Sequence, residues 1–260
     1  VSGWIIRHIP PGLLLLILVV LVAGGAMLLV AVVRRRFPAL TGDEHNDVTK
    51  FTYGFIGFIY AFFIGFVVSS MWGQTNGADA NARDEGAAAV EIARNIDAFT
   101  RADSDRLRAS LLRYEQSAIV EWDQGTGIRS PQTETALAEL TAAYRQVDPS
   151  TDVQKSALAT SMTKLDSISQ ARTVRLLTAR EDTGPPWPLW AVVFLTSAMV
   201  VGTVVIYGVE KPGMHYPMVA IVGLIVAANL FLILELSHPY LGGIATTSEP
   251  LHEVVSILQK

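Results

Sequence analysis

FTYGFIGFIYAFFIGFVVSSMW, residues 51–72, decides the fold. It carries no charge over a length that crosses a bilayer, since the hydrocarbon core takes about 20 apolar residues as a helix. Small residues recur within it three and four apart, at Gly54, Gly57, Ala61 and Gly65. That spacing puts them on one helical face and lets a neighbouring backbone come close. Tyr53, Phe58, Tyr60, Phe62 and Phe66 fill the other faces. Two readings stand for the small face: helix packing within a subunit, or a subunit–subunit contact or pore wall.

Outward from this stretch, three more segments meet the same test: Leu13 to Val33, Trp187 to Tyr207 and Tyr216 to Leu234. A buried helix of a soluble protein is usually shorter and keeps a polar stripe, which these lack. The first run is too long for a cleavable secretory signal, and no small-residue cleavage site follows it. The sequence therefore predicts an all-α membrane protein with four transmembrane helices and a helical-bundle domain inserted between the second and third. Residues 1–72 form the first transmembrane pair, 73–186 the soluble domain, and 187–260 the second pair with a C-terminal tail. The lipid bilayer is the first expected partner.

Charge follows this division. Residues 73–186 hold 13 Lys or Arg and 17 Asp or Glu, so the net charge of −4 sits wholly there. An acidic domain repels nucleic acid, which excludes that partner class. The absence of cysteine removes disulfides, thiolate catalysis and Cys-based metal sites. Arg34-Arg35-Arg36 and Lys50 border the loop between the first two spans, against only Arg7 before the first. The positive-inside rule then places that loop in the cytoplasm and residues 73–186 on the other side. Arg172, Arg175 and Arg180 count weakly the other way.

The middle domain reads as helices throughout. Ala82 to Phe99 has an apolar stripe at Ala89, Ile92, Ala93 and Ile96, and is expected to continue the second span. Asp103 or Ser104 can cap a second helix running to about Trp122, which Gly125-Thr126-Gly127 breaks. Ser130 as N-cap with Pro131 at the first helical position opens a third. A long fourth, after Asp148-Pro149-Ser150, leads towards the third span. Leu107, Leu111, Leu137, Leu140, Leu158 and Leu165 are expected in one core.

Polar groups at membrane depth are costly and face a partner or a water path. Asn229 and Glu235 are such groups in the fourth span, and Asp47 stands before the second. Together they make a candidate polar path. Each has a plainer account: an interhelical hydrogen bond for Asn229, interfacial solvation for Glu235 and helix capping for Asn46 or Asp47. A ring of Asp47 carboxylates at a pore mouth is the sharper one. His238 and His252 near Glu249 and Glu253 match no metal-ligand spacing, so no metal site is expected. Phosphate-binding loops, zinc-protease and nucleophile-elbow motifs are missing, and no cofactor or catalytic residue is expected.

Several segments together resemble a known family. They are His45-Asn46-Asp47-Val48; Gly57 through Tyr60-Ala61 to Trp72; Glu85; Glu121-Trp122 before Ser130-Pro131; Ala171-Arg172 with Arg175-Leu176; Pro188-Leu189-Trp190; and Pro239-Tyr240, Gly243 and Ser248-Glu249-Pro250. In this order they resemble the bestrophin-like family of bacterial integral membrane proteins. Two places depart from it: Leu236-Ser237 stands where the family usually has Leu-Asp, and Ile92-Ala93-Arg94 where it has Leu-Tyr-Arg. The likeness to bestrophins implies an oligomeric channel with a cytosolic helical domain, the reverse of the orientation that charge gives. The expected function is a homo-oligomeric ion channel-like assembly. An accessory, scaffold or sensor subunit of a larger membrane complex is the alternative.

Overall fold

The computed structural model describes residues 2–37, 46–181, 183–207 and 212–260, with the side chains of 46–50 and 212 outside that description. All secondary structure among the described residues is helical. The helices are α1 (Ser2–His8), α2 (Pro11–Val19), α3 (Gly25–Arg36), α4 (Asn46–Asn95), α5 (Arg101–Asp123), α6 (Pro131–Arg145), α7 (Asp152–Arg180), α8 (Trp187–Val205), α9 (Pro212–Leu236) and α10 (Glu249–Leu258). A π-helical turn at Val20–Gly24 joins α2 to α3, making one apolar helix from Pro11 to Arg36.

α4 is a single helix of 50 residues, about 75 Å long at 1.5 Å per residue. Gly73 and Gly77 lie inside it without breaking it. Each costs about 1 kcal/mol relative to alanine, too little to end a helix that packs along much of its length. The third span does not continue α7, by contrast. α7 ends at Arg180, and Pro185 and Pro186 separate it from α8, where Pro186 is the N-cap and Pro188 lies in the first turn. Proline lacks the donor and clashes with the preceding turn, so a helix starts at such residues more readily than it runs through them.

The chain divides into two compact units. The first comprises Val1–Gly73, Thr183–His238 and Gly242–Ile244. Among the described residues it holds four helical segments long and apolar enough to cross a membrane: Pro11–Arg36, the apolar part of Phe51–Ala98, Trp187–Val205 and Gly213–Leu236. One core joins Tyr60, Ile64, Val67 and Met71 of α4 to Val193 and Val200 of α8 and Val226, Leu230 and Ile233 of α9. On the outside of α4, Phe51, Phe55, Phe58, Phe62 and Phe66 are each at least 61% exposed. Water would not tolerate an apolar belt of this kind, and hydrocarbon is its solvent. The protein is an all-α membrane protein.

The second unit comprises Gln74–Asp182, Pro239–Leu241 and Ala245–Lys260. Its core is built from Ile92 of α4, Ile96 of the 3-10 turn that follows it (Ile96–Ala98), Leu107, Leu111 and Tyr114 of α5, Leu140 and Tyr144 of α6, Leu165 and Ile168 of α7, and Leu251 and Val254 of α10. Leu137 and Leu158, expected in the same core, are half-buried at its edge. The α5 cap is Thr100, one turn earlier than Asp103 or Ser104. Its hydroxyl oxygen accepts from the Asp103 N–H at 3.3 Å, and the hydroxyl donates to the Asp103 carboxylate at 2.7 Å. Ser130 and Pro131 open α6 as expected, although the Ser130 hydroxyl turns to Gln132. α7 begins with a capping box between Thr151 and Gln154.

Candidate functional site

The small-residue face of α4 is the first candidate. Helical period turns it away from the Tyr60, Ile64, Val67 and Met71 side that meets α8 and α9. A Cβ added at Gly54, Gly57 or Gly65 would have no neighbour within 4 Å among the described residues. Ala61 is exposed. No described helix of the same chain packs on this stripe. The close helix approach lies elsewhere, at Gly223 of α9, where a Cβ would stand 2.6 Å from Ala23 Cα in the π-helical turn. Small residues facing each other on two spans, Ala23 and Gly223, were the signal for it. A repeat within one span cannot reveal a pairing between two.

The candidate polar path is dispersed. Asn229 is half-buried on α9, with no hydrogen-bond partner for its amide among the described residues. Glu235 lies six residues further, about 240° around the helix, so the two occupy different faces. Glu235 is not solvated at an interface: it is 2% exposed. One carboxyl oxygen accepts from the Gly243 N–H at 2.7 Å, and the other is buried with no partner among the described residues. Gly242 makes this approach possible. Its φ is +96°, and a Cβ there would meet the carboxylate at 2.6 Å. Asp47 begins α4, and its side chain lies outside the described residues, as do Asp43, Glu44 and His45.

A buried histidine was not singled out by the sequence. His215 of α9 donates from Nε2 to the Val204 carbonyl at 3.0 Å, which leaves Nδ1 to accept from Arg34 at 3.0–3.1 Å. Arg34 thereby ties the end of α3 to α8 and α9. His238 Nε2 meets the Ser2 hydroxyl at 3.1 Å. No cluster of three metal-ligating side chains occurs among the described residues.

The densest chemistry is in the second unit. Arg175 of α7 donates from Nε and Nη2 to the two oxygens of Glu85 on α4, both at 3.1 Å. Its guanidinium also lies 4.5 Å from the centre of the Trp122 ring, whose edge meets Tyr240 at 5.6 Å between ring centres. One turn of α7 earlier, Arg172 donates to both oxygens of Glu121 at 2.7 and 2.8 Å and to Glu134 at 2.8 Å. Glu121 also accepts from the Ser130 N–H at 2.6 Å, so it holds the start of α6. Arg172, Arg175, Glu85 and Glu121 are all at most 3% exposed. Paired guanidinium–carboxylate forks are the arrangement under which buried charges are tolerated. Hydrogen bonds from Arg129 and Arg172 hold the Glu134 carboxyl below its ordinary range. Burial pushes the Tyr240 phenol up to about 12.

Glu85, Glu121, Arg172 and Arg175 are among the residues on which the sequence resemblance rested. The Bestrophin-like domain family matches the chain over residues 20–251. The chain belongs to the Bestrophin-like family. Solved structures with the Bestrophin-like fold agree. A point mutant of a bacterial Bestrophin homolog from Klebsiella pneumoniae is 13% identical, with a TM-score of 0.70 over 95% of this chain and 99% of that one. A second mutant of the same homolog, also 13% identical, gives 0.64 over 94% and 97%. A mutant membrane protein is 16% identical, with 0.63 over 95% and 94%. A search of the curated proteins found no match. For this Bestrophin-like chain, the salt-bridge residues Glu85, Glu121, Arg172 and Arg175 are thus structural ties among α4, α5 and α7, with α6 held through Glu121 and Glu134.

Proposed function

We propose that the chain assembles as a homo-oligomer in a bacterial inner membrane and forms an ion channel-like pathway. The observation that carries this reading is the unpacked face of α4. A Cβ added at Gly54, Gly57 or Gly65 would meet nothing of the described chain beyond its own helix turn within 4 Å, although Tyr60, Ile64 and Met71 on the same helix are fully packed. Lipid gives helices no hydrophobic drive to associate, so a small-residue face is of use where another backbone or a water path meets it. A second copy of α4, or the pathway between copies, fits it. Family membership supports the same reading. Asp47, Asn229 and Glu235 are the candidate polar groups along such a pathway, and residues 73–186 form the helical domain outside the bilayer. Native mass in mild detergent tests the assembly. A whole-number multiple of 28.2 kDa supports it. A single copy bound to other polypeptides favours an accessory subunit.

Orientation divides the two lines of support. Charge favours an extracytoplasmic domain, because Arg34, Arg35 and Arg36 end α3. Arg172 and Arg175, which counted the other way, are spent in buried ion pairs. The bestrophin likeness favours a cytosolic domain. A single cysteine decides, because the chain has none of its own. Gly125 is a poor site, with φ +57° and Leu241 at 2.8 Å from an added Cβ. Gln124 is exposed, and Gln124→Cys should react with an impermeant thiol reagent on intact cells if charge governs. Labelling only after lysis would reverse the orientation.

A further inference from the structure

α5 carries into the core of the second unit a carboxyl group that no cation claims. Glu115 is 1% exposed, and no hydrogen bond or ion pair reaches it among the described residues. The buried cations are already engaged. Both inner nitrogens of Arg175 are on Glu85, with Glu121 a further 3.7 Å contact. Arg172 is shared between Glu121 and Glu134. Two buried arginines thus face two buried carboxylates, Glu85 and Glu121. Ionised Glu115 would be a third, uncompensated negative charge away from water, and such a group neutralises instead.

We propose that Glu115 is a proton-binding site: the folded second unit holds one proton on this carboxyl group, and releasing it loosens the Glu85–Arg175 tie between α4 and α7. On release the O–H bond breaks, the electron pair stays on the carboxylate, and the proton goes to solvent. The new negative charge then competes with Glu85 for Arg175. The groups facing this cluster are Glu85 from α4, Tyr114 and Glu121 from α5, Arg172 and Arg175 from α7, Tyr240 from the 239–241 segment, and Glu134 from α6 through Arg172. α10 presents Leu251, Val254 and Leu258 to the core, while its Glu249, His252 and Glu253 are exposed.

Electrostatics agrees with the geometry. Burial pushes the Glu115 carboxyl well above the usual carboxylate range; Glu85 adds to this and Arg175 offsets part of it. In the unfolded chain the group ionises in the ordinary range, so the folded unit binds more protons between the two values. Stability is therefore fully present at acid pH, below the unfolded value, and falls as pH rises towards the folded one.

The test uses the full chain in mild detergent, with thermal unfolding followed from mildly acidic to alkaline pH. The wild type should lose several degrees of midpoint as pH rises. Glu115→Gln should be flatter and at alkaline pH at least as stable as the wild type. Glu85→Gln removes the nearby negative charge and frees Arg175, so it should shift the remaining pH dependence downwards. A Glu115→Gln slope equal to that of the wild type, or a Glu85→Gln slope unmoved, overturns the proposal. Should Glu115→Gln fail to fold, infrared spectra of the wild type decide. A protonated-carboxyl band at neutral pH that disappears in alkali, with loss of stability over the same range, supports the site. No such band, or a band that titrates without any change in stability, overturns it.

Discussion

Arg172→Met separates a buried fork from a surface ion pair. Methionine keeps the length of the side chain and its apolar stem but removes the charge. Glu121, whose side chain is fully buried, would keep only the Ser130 N–H at 2.6 Å and Arg175 at 3.7 Å. Glu134 is 45% exposed and keeps Arg129, so its loss is small. The dominant effect is therefore one stranded buried carboxylate, for which breaking a buried pair costs about 3–5 kcal/mol. Against a total stability of about 5–15 kcal/mol this is a large fraction. Arg113→Ala supplies the comparison, because its pair with Glu139 is 61% and 48% exposed and should contribute about 0–1 kcal/mol. Adding Glu121→Leu to Arg172→Met should recover part of the loss, since no charge is then stranded. Denaturant unfolding of the full chain in detergent, read by circular dichroism, measures all three. An Arg172→Met cost no greater than that of Arg113→Ala would refute the reasoning.

Three further outcomes follow from packing. Leu140 is fully buried, so Leu140→Ala should cost about 2–5 kcal/mol, and a neutral effect in the same unfolding assay would contradict its place in the core. Gly57→Leu should dissociate the oligomer in native mass measurements while leaving subunit stability unchanged, because an added Cβ there meets no described atom beyond its own helix turn within 4 Å. A destabilised subunit with unchanged assembly would put that face inside the subunit. Gly223→Val, by contrast, drives a Cβ to 2.6 Å from Ala23 Cα and should lower thermal stability by about 1–3 kcal/mol or more; full tolerance would mean that α9 and the π-helical turn do not meet there.

The spans were legible in the sequence because hydrocarbon imposes a simple rule of length and charge, which residues 51–72 satisfy alone. The helices of the second unit were legible too, since Leu107, Leu111 and Leu140 repeat at helical spacing. Helix starts were less so. Thr100, Asp103 and Ser104 are all good caps, and only the path of the chain after Phe99 selects Thr100. The ion network was present in the sequence only as residues shared with a family. Glu85 and Arg175 are 90 positions apart, and no periodicity links charges across such a separation. The burial of Glu235 was not legible for a related reason. Its burial comes from Gly242 and Gly243 folding back over it, a contact made by a loop that carries no apolar pattern.

The central claim, an ion pathway formed by copies of this chain, is tested most directly by current across planar bilayers holding the purified full-length protein. Discrete current steps that depend on voltage and on the ion gradient are expected, with Gly57→Leu abolishing or altering them. A protein that reconstitutes well and passes no current under varied voltage, pH and ion gradients would contradict the claim.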